Sequence, residues 1–356
     1  MSLNKLRKKI DLLDQKLITL LNLRAAATKA IGRIKINSGK SIYVPEREMQ
    51  VLNRISSLNK GPLKKSALEA IYREVMSASL ALEKPLKIAY LGPQASFTNL
   101  AAMKKFGSQV SYLACNSIAD VFLEVEKDSA DYGVVPIENS IEGAVSHTLD
   151  VFVDADLKIC SQIILEVTHN LLANCAKNKI RNIYSNPQVF GQCRIWLQKN
   201  LPNALLVDVS STTRAAEMAK KEKNSAAIAS LLASKVYGLK VLASGIQDSA
   251  QNITRFLVVG KNVAARTGKD KTSLFFSIKD RVGALYEMLL PFRKYRVNLT
   301  KIESRPSKKK AWEYYFFVDI IGHQDDALIK KALQELERKC SYLKILGSYP
   351  IGDALK

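Results

Sequence analysis

The chain changes its hydrophobic period twice. In the opening stretch Leu3, Leu6, Ile10, Leu13, Leu17 and Leu20 recur at alternating steps of three and four residues, and Ala27, Ile31 and Ile34 keep the same register. That spacing draws a narrow apolar seam along one long helix that packs lengthwise. Gly39-Lys40-Ser41 ends it, Pro45 opens a second helix to about Asn59, and after Lys60-Gly61-Pro62 a third runs from Lys64 to Glu83, before Pro85. From Leu86 short apolar runs (LKIAYL, YGVVPI, IRNIY, LLVDV, AAIAS) alternate with helical stretches (FTNLAAMKKF, PQVFGQCRIWLQK, TTRAAEMAKKE), the pattern of an α/β domain. Two lobes are expected, because a cleft between lobes is a common place for a small-ligand site. Beyond a linker around Arg266 to Lys271, SLFFSI, GALYEMLLPFRKY, NLTKIESR, WEYYFFVDII, DDALIKKALQELERKC and LKILGSY spell β-α-β-β-α-β, a ferredoxin-like unit. The expected domains are 1–85, 86–265 and 270–356.

Composition agrees with several packed cores. A chain of 356 residues, 47% hydrophobic and 24% charged, has the length of two or three domains and neither a disordered nor a collagen-like make-up. No apolar run approaches the roughly 20 residues a bilayer span needs. The N-terminus, MSLNKLRKKIDLLDQKL, scatters charge through its apolar positions rather than offering a signal-peptide core, so a cytoplasmic protein is expected. The five cysteines (Cys115, Cys160, Cys175, Cys193, Cys340) are far apart and form no C-x-x-C pair, which suggests neither a disulfide framework nor a zinc site.

The net charge of +21 raises nucleic acid as a partner. The basic excess is present in all three segments, however, with no ribonucleoprotein motif, zinc-finger spacing or long arginine tract. Its densest runs are Arg7-Lys8-Lys9 and Lys308-Lys309-Lys310. Small acidic substrates suit this balance, and so does a lysine-rich solvated surface; neither nucleic acid nor a membrane is expected as partner.

Most familiar chemistries find no motif here. His147, His169 and His323 are isolated, and there is no H-E-x-x-H, G-x-S-x-G, Walker loop or strand-linked G-x-G-x-x-G. What remains are cations and small polar side chains, the materials of a site that binds polycarboxylates and works by preorganised electrostatics. Arg24 occupies the seam position after Leu20, where a charge needs a partner to offset its desolvation; a register-setting polar residue is the alternative. Lys35, eleven residues on, lies about 20° around the helix from Arg24, so both cations project from nearly one face. Arg7 sits one position off the seam, and Ser79 and Glu83 share a helical face.

At these residues the chain resembles a known family. L-x-x-L-R-x-x-I-D-x-L-D-x-x-L-x-x-L-L-x-x-R, followed by G-R-I-K, P-E-R-E and S-x-x-x-E, is similar to the all-helical chorismate mutases. GPQASFTNLAA (92–102), VPIENSIEG (135–143), SNPQVFGQC (185–193), SSTTRAAE (210–217) and QNITRFLVVG (251–260) resemble the motif set of prephenate dehydratases, and KDRVGALYEML (279–289) with ESRP (303–306) resembles the phenylalanine-binding ACT domain. In this order they cover the chain of the bifunctional chorismate mutase-prephenate dehydratases.

The resemblance implies a multidomain fold: an all-α mutase domain, a two-lobed α/β dehydratase domain like the periplasmic binding proteins, and an α+β ferredoxin-like ACT domain. It implies conversion of chorismate to prephenate and of prephenate to phenylpyruvate without a cofactor or metal, phenylalanine as effector, and a homo-dimer or homo-tetramer. In the mutase, Arg24 and Arg47 would grip carboxylates, Arg7 would arrive from a partner subunit, Lys35 would donate to the ether oxygen, Glu48 would bind the ring hydroxyl, and Ser79 and Glu83 would line the pocket. Some relatives carry Gln at Glu83, and only a protonated Glu donates a hydrogen bond, so mutase activity is expected to fall as pH rises.

In the dehydratase Thr254 is the acid of T-R-F, acting as hydrogen-bond donor or proton relay, and Arg255 a carboxylate binder. Ser96, Thr98, Asn139, Ser185, Gln192, Thr212 and Thr213 are further binding positions, with helix capping the alternative for Ser96, Thr98 and Thr213. Glu138 reads as structural or interfacial. Phenylalanine would lie between Gly283, Ala284 and Leu285 and Glu303, Ser304 and Arg305. Departures from the family pattern stand at Val44, Ala95, Asn186 and Val282. Two rivals remain: a ligand-sensing regulator whose basic helices touch nucleic acid, and a dehydratase whose helical segment is an inactive dimerisation arm.

Overall fold

The computed structural model describes residues 2–249, 251–278, 281–307, 314–352 and 354–355. Lys279 and Asp280 of the 279–289 motif, the run Lys308, Lys309 and Lys310, and Trp312 and Glu313 of the expected strand lie outside the described residues. The chain forms two compact units, residues 1–87 with 105–111, and residues 88–104 with 112–356.

The first unit is built on α1 (Leu3–Asn37), α2 (Pro45–Leu58) and α3 (Lys65–Glu83). Helix α1 stops where Gly39 takes a left-handed φ of 65°, and the amides of Gly39 and Lys40 turn back to the carbonyls of Ile36 and Lys35. This closure satisfies the last helical carbonyls and leaves Lys35 in the final turn. Pro45 sits at the start of α2, with Glu46 and Glu48 in its first turn, where acidic groups complement the helix dipole. Helices α1 and α3 meet so closely at Gly32 that a Cβ there would stand 2.8 Å from Glu83 Cγ. The glycine of G-R-I-K thus sets the helix spacing that brings Lys35 beside Glu83. The seam of α1 is largely uncovered within one chain, Leu20 at 64% and Ile34 at 68% exposure among them.

From Lys87 the chain runs β1 (Lys87–Leu91), α4 (Phe97–Phe106), β2 (Ser111–Cys115), α5 (Ile118–Glu126), β3 (Tyr132–Asn139), β4 (Gly143–Ala144), α6 (Ser146–Asp154) and β5 (Lys158–Glu166). It continues through β6 (Asn170–Ala173), β7 (Asn182–Ser185), α7 (Pro187–Gln192), α8 (Arg194–Asn200), β8 (Leu205–Asp208), α9 (Thr212–Lys221), β9 (Ser225–Ala229), α10 (Leu231–Tyr237) and β10 (Lys240–Ser244) to β11 (Ile253–Gly260). Then follow β12 (Asp270–Ile278), α11 (Ala284–Lys294), β13 (Leu299–Pro306), β14 (Tyr314–Ile321), α12 (Ala327–Glu337), β15 (Tyr342–Pro350) and β16 (Ala354–Leu355).

Two sheets form the expected lobes. One has the order β16-β5-β11-β3-β1-β2 with β4 beside β3, the other β10-β6-β9-β7-β8. The chain leaves the first lobe after β5 and returns at β11, which lies antiparallel between β5 and β3. FLVVG of β11 is buried along its whole length, as befits a central strand covered on both faces.

The C-terminal strands form an antiparallel sheet in the order β13-β14-β12-β15, the ferredoxin-like arrangement. Alternation along its strands divides the side chains between two cores. Leu274, Phe276, Val318 and Ile320 pack with Met288 and Phe292 of α11 and Leu333 and Leu336 of α12. Phe275, Phe317 and Tyr349 turn the other way, into one core with Ile137, Phe152, Ile159 and Leu257 of the first lobe. Lys344 Nζ reinforces this junction by donating to the carbonyls of Phe152 and Ala155, at 3.1 and 2.6 Å, where α6 ends.

Candidate active sites

In the first unit a cavity of about 330 Å³ is lined by Arg24, Lys35, Val44, Arg47, Glu48, Arg73, Ser79, Glu83 and Lys105, together with apolar side chains. Arg24 Nη1 donates to Ser79 Oγ at 2.5 Å, and Ser79 Oγ donates in turn to the Val75 carbonyl at 2.8 Å. Lys35 Nζ pairs with Glu83 Oε2 at 2.9 Å and donates to the Ile42 carbonyl at 2.8 Å. Glu48 Oε2 accepts from Tyr43 Oη at 3.0 Å and pairs with Lys105 Nζ at 2.7 Å. Of the residues singled out in sequence, Arg24, Lys35, Arg47, Glu48, Ser79 and Glu83 therefore come together, while Arg7, near the far end of α1, does not line the cavity.

The lining cations outnumber the carboxylates five to two, so a small dianion finds a net positive, partly apolar chamber. Sequence reasoning missed Arg73 and Lys105. Arg73, six residues before Ser79, lies about 120° around α3 from it, so the helical angle does not group the two. Lys105 carries no signal either, because only the fold places residues 105–111 in this unit.

The second unit holds a different kind of site. Asn139 ends β3 and Thr254 is the second residue of β11, at directly paired positions. Asn139 Oδ1 accepts the amides of Ile141 and Glu142, at 2.9 and 3.0 Å, which orients the side chain so that Nδ2 donates to Thr254 Oγ1 at 2.8 Å and to Asn252 Oδ1 at 2.9 Å. Asn252 Nδ2 in turn donates to Gln192 Oε1 at 2.8 Å, and Gln192 Nε2 donates to Glu142 at 2.9 Å. Gln192 comes from α7 in the other lobe, so this chain of amides links the two lobes.

His169 Nε2 also lies 2.8 Å from Gln192 Oε1 and must carry the proton there; its Nδ1 is buried with no hydrogen-bond partner among the described residues. Burial holds the His169 pKa below the usual imidazole value, against the raising effect of Gln192. Next to Gln192, burial and the nearby Asp248 push the Cys193 thiol up to about 12, which leaves no reactive thiolate at this edge. Among the described residues no group of three or more His, Cys, Asp or Glu side chains is placed to hold a metal ion, and no helix is long and apolar enough to cross a membrane.

Several expected positions turn out otherwise. Arg255 is excluded from the cleft, because adjacent residues on a strand face opposite ways; it is buried on the far side of β11 from Thr254, bound to Asp319 and Tyr349. Ser185 is fully buried and donates to the Ile228 carbonyl at 2.9 Å, a structural bond between β7 and β9. Ser96 Oγ donates to the Leu91 carbonyl at 3.1 Å and accepts from the Asn99 amide at 3.2 Å, so it caps the turn before α4.

Thr98 is buried in the first turn of α4 and Thr212 is half-buried at the start of α9, while the cap of α9 is Ser211. Thr213 Oγ1 is buried without a hydrogen-bond partner among the described residues. Sequence reasoning missed His169, Asn252 and Glu142. Asn252, two positions before Thr254, shares its face of an extended chain and was legible in QNITRF; His169 was dismissed as isolated.

In the C-terminal sheet Gly283, with φ of 77°, precedes α11, and Ala284 is buried. The register of β13 divides the other expected effector residues. Ser304 pairs with Phe316 on the helix-covered face, whereas Glu303 and Arg305 pair with Phe317 and Tyr315 on the face toward the first lobe. Arg305 is accordingly committed to Asp150 of α6, at 3.2 Å.

Family models for chorismate mutase type II, prephenate dehydratase and the ACT domain match residues 6–84, 88–264 and 272–338. A bifunctional chorismate mutase/prephenate dehydratase of Aquifex aeolicus is 49% identical over 98% of both chains. A prephenate dehydratase from Arthrobacter aurescens in complex with L-Phe superposes with a TM-score of 0.71 at 34% identity, covering 75% of this chain and 90% of that one. GqqA, described as a novel type of quorum quenching acylase, has a TM-score of 0.69 at 27% identity over 75% of this chain and 98% of its own.

Proposed function

The chain belongs to the bifunctional chorismate mutase/prephenate dehydratase family, and from that premise we propose how its residues divide the work. The enzyme rearranges chorismate to prephenate, converts prephenate to phenylpyruvate, and carries an ACT domain for feedback by phenylalanine. The resemblance of the second unit to an acylase does not compete with this, since a shared frame hosts different chemistries and the similarity to the bifunctional enzymes runs end to end.

The mutase reaction is pericyclic and needs no proton transfer, so its catalyst must fold the substrate and stabilise charge developing on the breaking ether bond. Arg24, oriented by Ser79, and Arg47 take the carboxylates. Lys35 and Glu83 address the ether oxygen, and Glu48, steadied by Tyr43 and Lys105, takes the ring hydroxyl. The observation that carries this reading is the convergence of these residues on one cationic cavity. Arg7 completes the site from a second copy, whose seam covers the exposed apolar stripe of α1.

Prephenate loses carbon dioxide and the ring hydroxyl together, and aromatisation drives the step. Because Asn139 donates to Thr254 Oγ1, the threonine's own proton is free for the departing hydroxyl. Asn252, Gln192 and His169 hold Asn139 and Thr254 in place, and Thr98, Thr212 and Thr213 are the remaining candidates to meet the carboxylates. Phenylalanine binds at the start of α11, near Gly283, Ala284 and Leu285, with Ser304 contributing from the same face of β13. Residues 1–85, 86–265 and 270–356 are the three functional domains. The enzyme works in the cytoplasm, whose reducing conditions suit five free cysteines.

Incubating the purified chain with chorismate, with and without phenylalanine, tests the whole reading. Phenylpyruvate formation that phenylalanine suppresses is the expected result. Prephenate accumulating alone would remove Thr254 from its role, and no turnover of either substrate would leave a ligand sensor.

A further inference from the structure

Where β3 and β11 pair, alternation separates two residue pairs. Thr254 and Asn139 meet on the cleft side; one step along, Arg255 is in register with Glu138, at 3.6 Å, on the opposite face. Arg255 is only 8% exposed, and three strands share its guanidinium. Nη1 donates to Asp319 Oδ2 of β14 at 2.5 Å, Nη2 to Tyr349 Oη of β15 at 2.7 Å, and Nε to Gln162 Oε1 of β5 at 3.0 Å. Ser273 of β12 ties Asp319 to Tyr349, and Lys301 of β13 reaches Glu138 at 3.2 Å. All four strands of the effector sheet therefore contribute to one polar cluster beneath the dehydratase strands.

This cluster matters because the backbone ladder is broken beside it. The pairing of β11 with β3 shifts register between Arg255 and Phe256, and such a bulge re-aims the neighbouring side chains. Burial by itself would lower the Arg255 pKa, but Tyr349, Asp319 and Glu138 outweigh it and raise the pKa above the ordinary value. The guanidinium stays charged, and its donors are taken by protein groups rather than offered to a substrate.

We infer that Arg255, held by Asp319 and Tyr349 of the effector domain, is a positioning residue for Thr254: the effector sheet clamps β11 from behind, and prephenate dehydration depends on that clamp. The inference rests on Thr254 assisting the departing hydroxyl, as proposed above.

The test uses the full chain and prephenate as substrate, beginning with Thr254→Val alone. An unaltered rate there overturns the role of Thr254, and with it the clamp, before any other variant is made. Tyr349→Phe and Asp319→Asn are then expected to lower kcat on the order of tenfold to a hundredfold, the cost of a small misplacement, with KM held within about twofold. A lone buried guanidinium can unfold its surroundings, so Arg255→Met with Asp319→Leu removes both charges together and should show the same fall in kcat in a folded protein. In the Thr254→Val background Asp319→Asn should add nothing, since it acts through Thr254. Fully additive losses in that background would overturn the proposal. So would an Arg255→Lys enzyme with raised KM and intact kcat beside a silent Asp319→Asn, the signature of a direct substrate ligand.

Discussion

Asn139 donates its side-chain amide to Thr254 Oγ1 at 2.8 Å, across directly paired residues of β3 and β11. The direction of that bond carries the chemistry. With one of its lone pairs occupied, the threonine is left to donate, which is the only way so weak an acid can serve a departing hydroxide.

Thr254→Val should therefore lower the rate of phenylpyruvate formation from prephenate by roughly 10²- to 10⁴-fold, the usual worth of a positioned proton donor, and leave chorismate rearrangement unchanged. Asn139→Asp should be nearly as damaging, because a carboxylate would turn the Thr254 proton toward itself. Survival of full activity in both variants would take the pair out of the mechanism.

Arg24→Ala removes a cation that Ser79 orients at 2.5 Å. Mutase activity is expected to fall by about 10²- to 10³-fold, as when a preorganised donor is lost, with prephenate dehydration intact. Chorismate consumption followed in parallel with dehydration reads both; an active mutase in a protein that has lost its oligomeric state would instead make Arg24 a register residue.

In the free enzyme Glu83 is ion-paired with Lys35 at 2.9 Å, and an ionised carboxylate accepts hydrogen bonds without donating any. Glu83→Gln, with a permanent N–H donor, should therefore retain mutase activity, whereas Glu83→Leu, which offers no donor, should lower it by about 10²- to 10³-fold. Mutase rates of the two proteins in one buffer settle the point, and equal rates would count against a donor role.

If Arg7 serves the partner's cavity, each active site combines two chains. Arg7→Ala and Arg24→Ala proteins should each be nearly inactive as mutases, yet equal mixtures, after subunit exchange, should regain about a quarter of wild-type activity, since half the dimers are mixed and each carries one intact site. No recovery on mixing, with exchange verified by mass, would place Arg7 outside the site.

Burial lowers the His169 pKa below its unfolded value of 6.5. The unfolded chain then binds the extra proton first as pH falls, so stability is fully present above about pH 6.5 and is lost below it until the folded pKa is reached, at no more than roughly 1.4 kcal/mol per pH unit. Thermal unfolding of the wild type between pH 7 and 5 should show this slope, and His169→Gln should lessen it; parallel slopes would assign the acid sensitivity to other groups.

Much of the molecule was legible one residue at a time. The three periods of the chain correspond to three helices, two α/β sheets and a ferredoxin-like sheet, because side-chain burial alternates with the same periods that the backbone imposes. Within α1 and α3 the helical angle alone relates Arg24 to Lys35 and Ser79 to Glu83, so these residues could be grouped before their partners were known. Gly32 is intelligible in hindsight: the motif marked it, and the 2.8 Å approach of Glu83 explains it.

The tertiary structure decided what local spacing could not. Thr254 and Arg255 are adjacent in one motif, yet strand alternation sends one to the cleft and the other into the junction with the effector sheet, 64 residues from Asp319 along the chain. Lys105 reaches Glu48 only because residues 105–111 fold into the helical unit, and His169, just before β6, meets Gln192 of α7 only once the second lobe has folded. Sequence determines which side chains share a helix or strand face, since that is local geometry; which faces meet depends on the burial of whole surfaces, and that is settled only when the chain has folded.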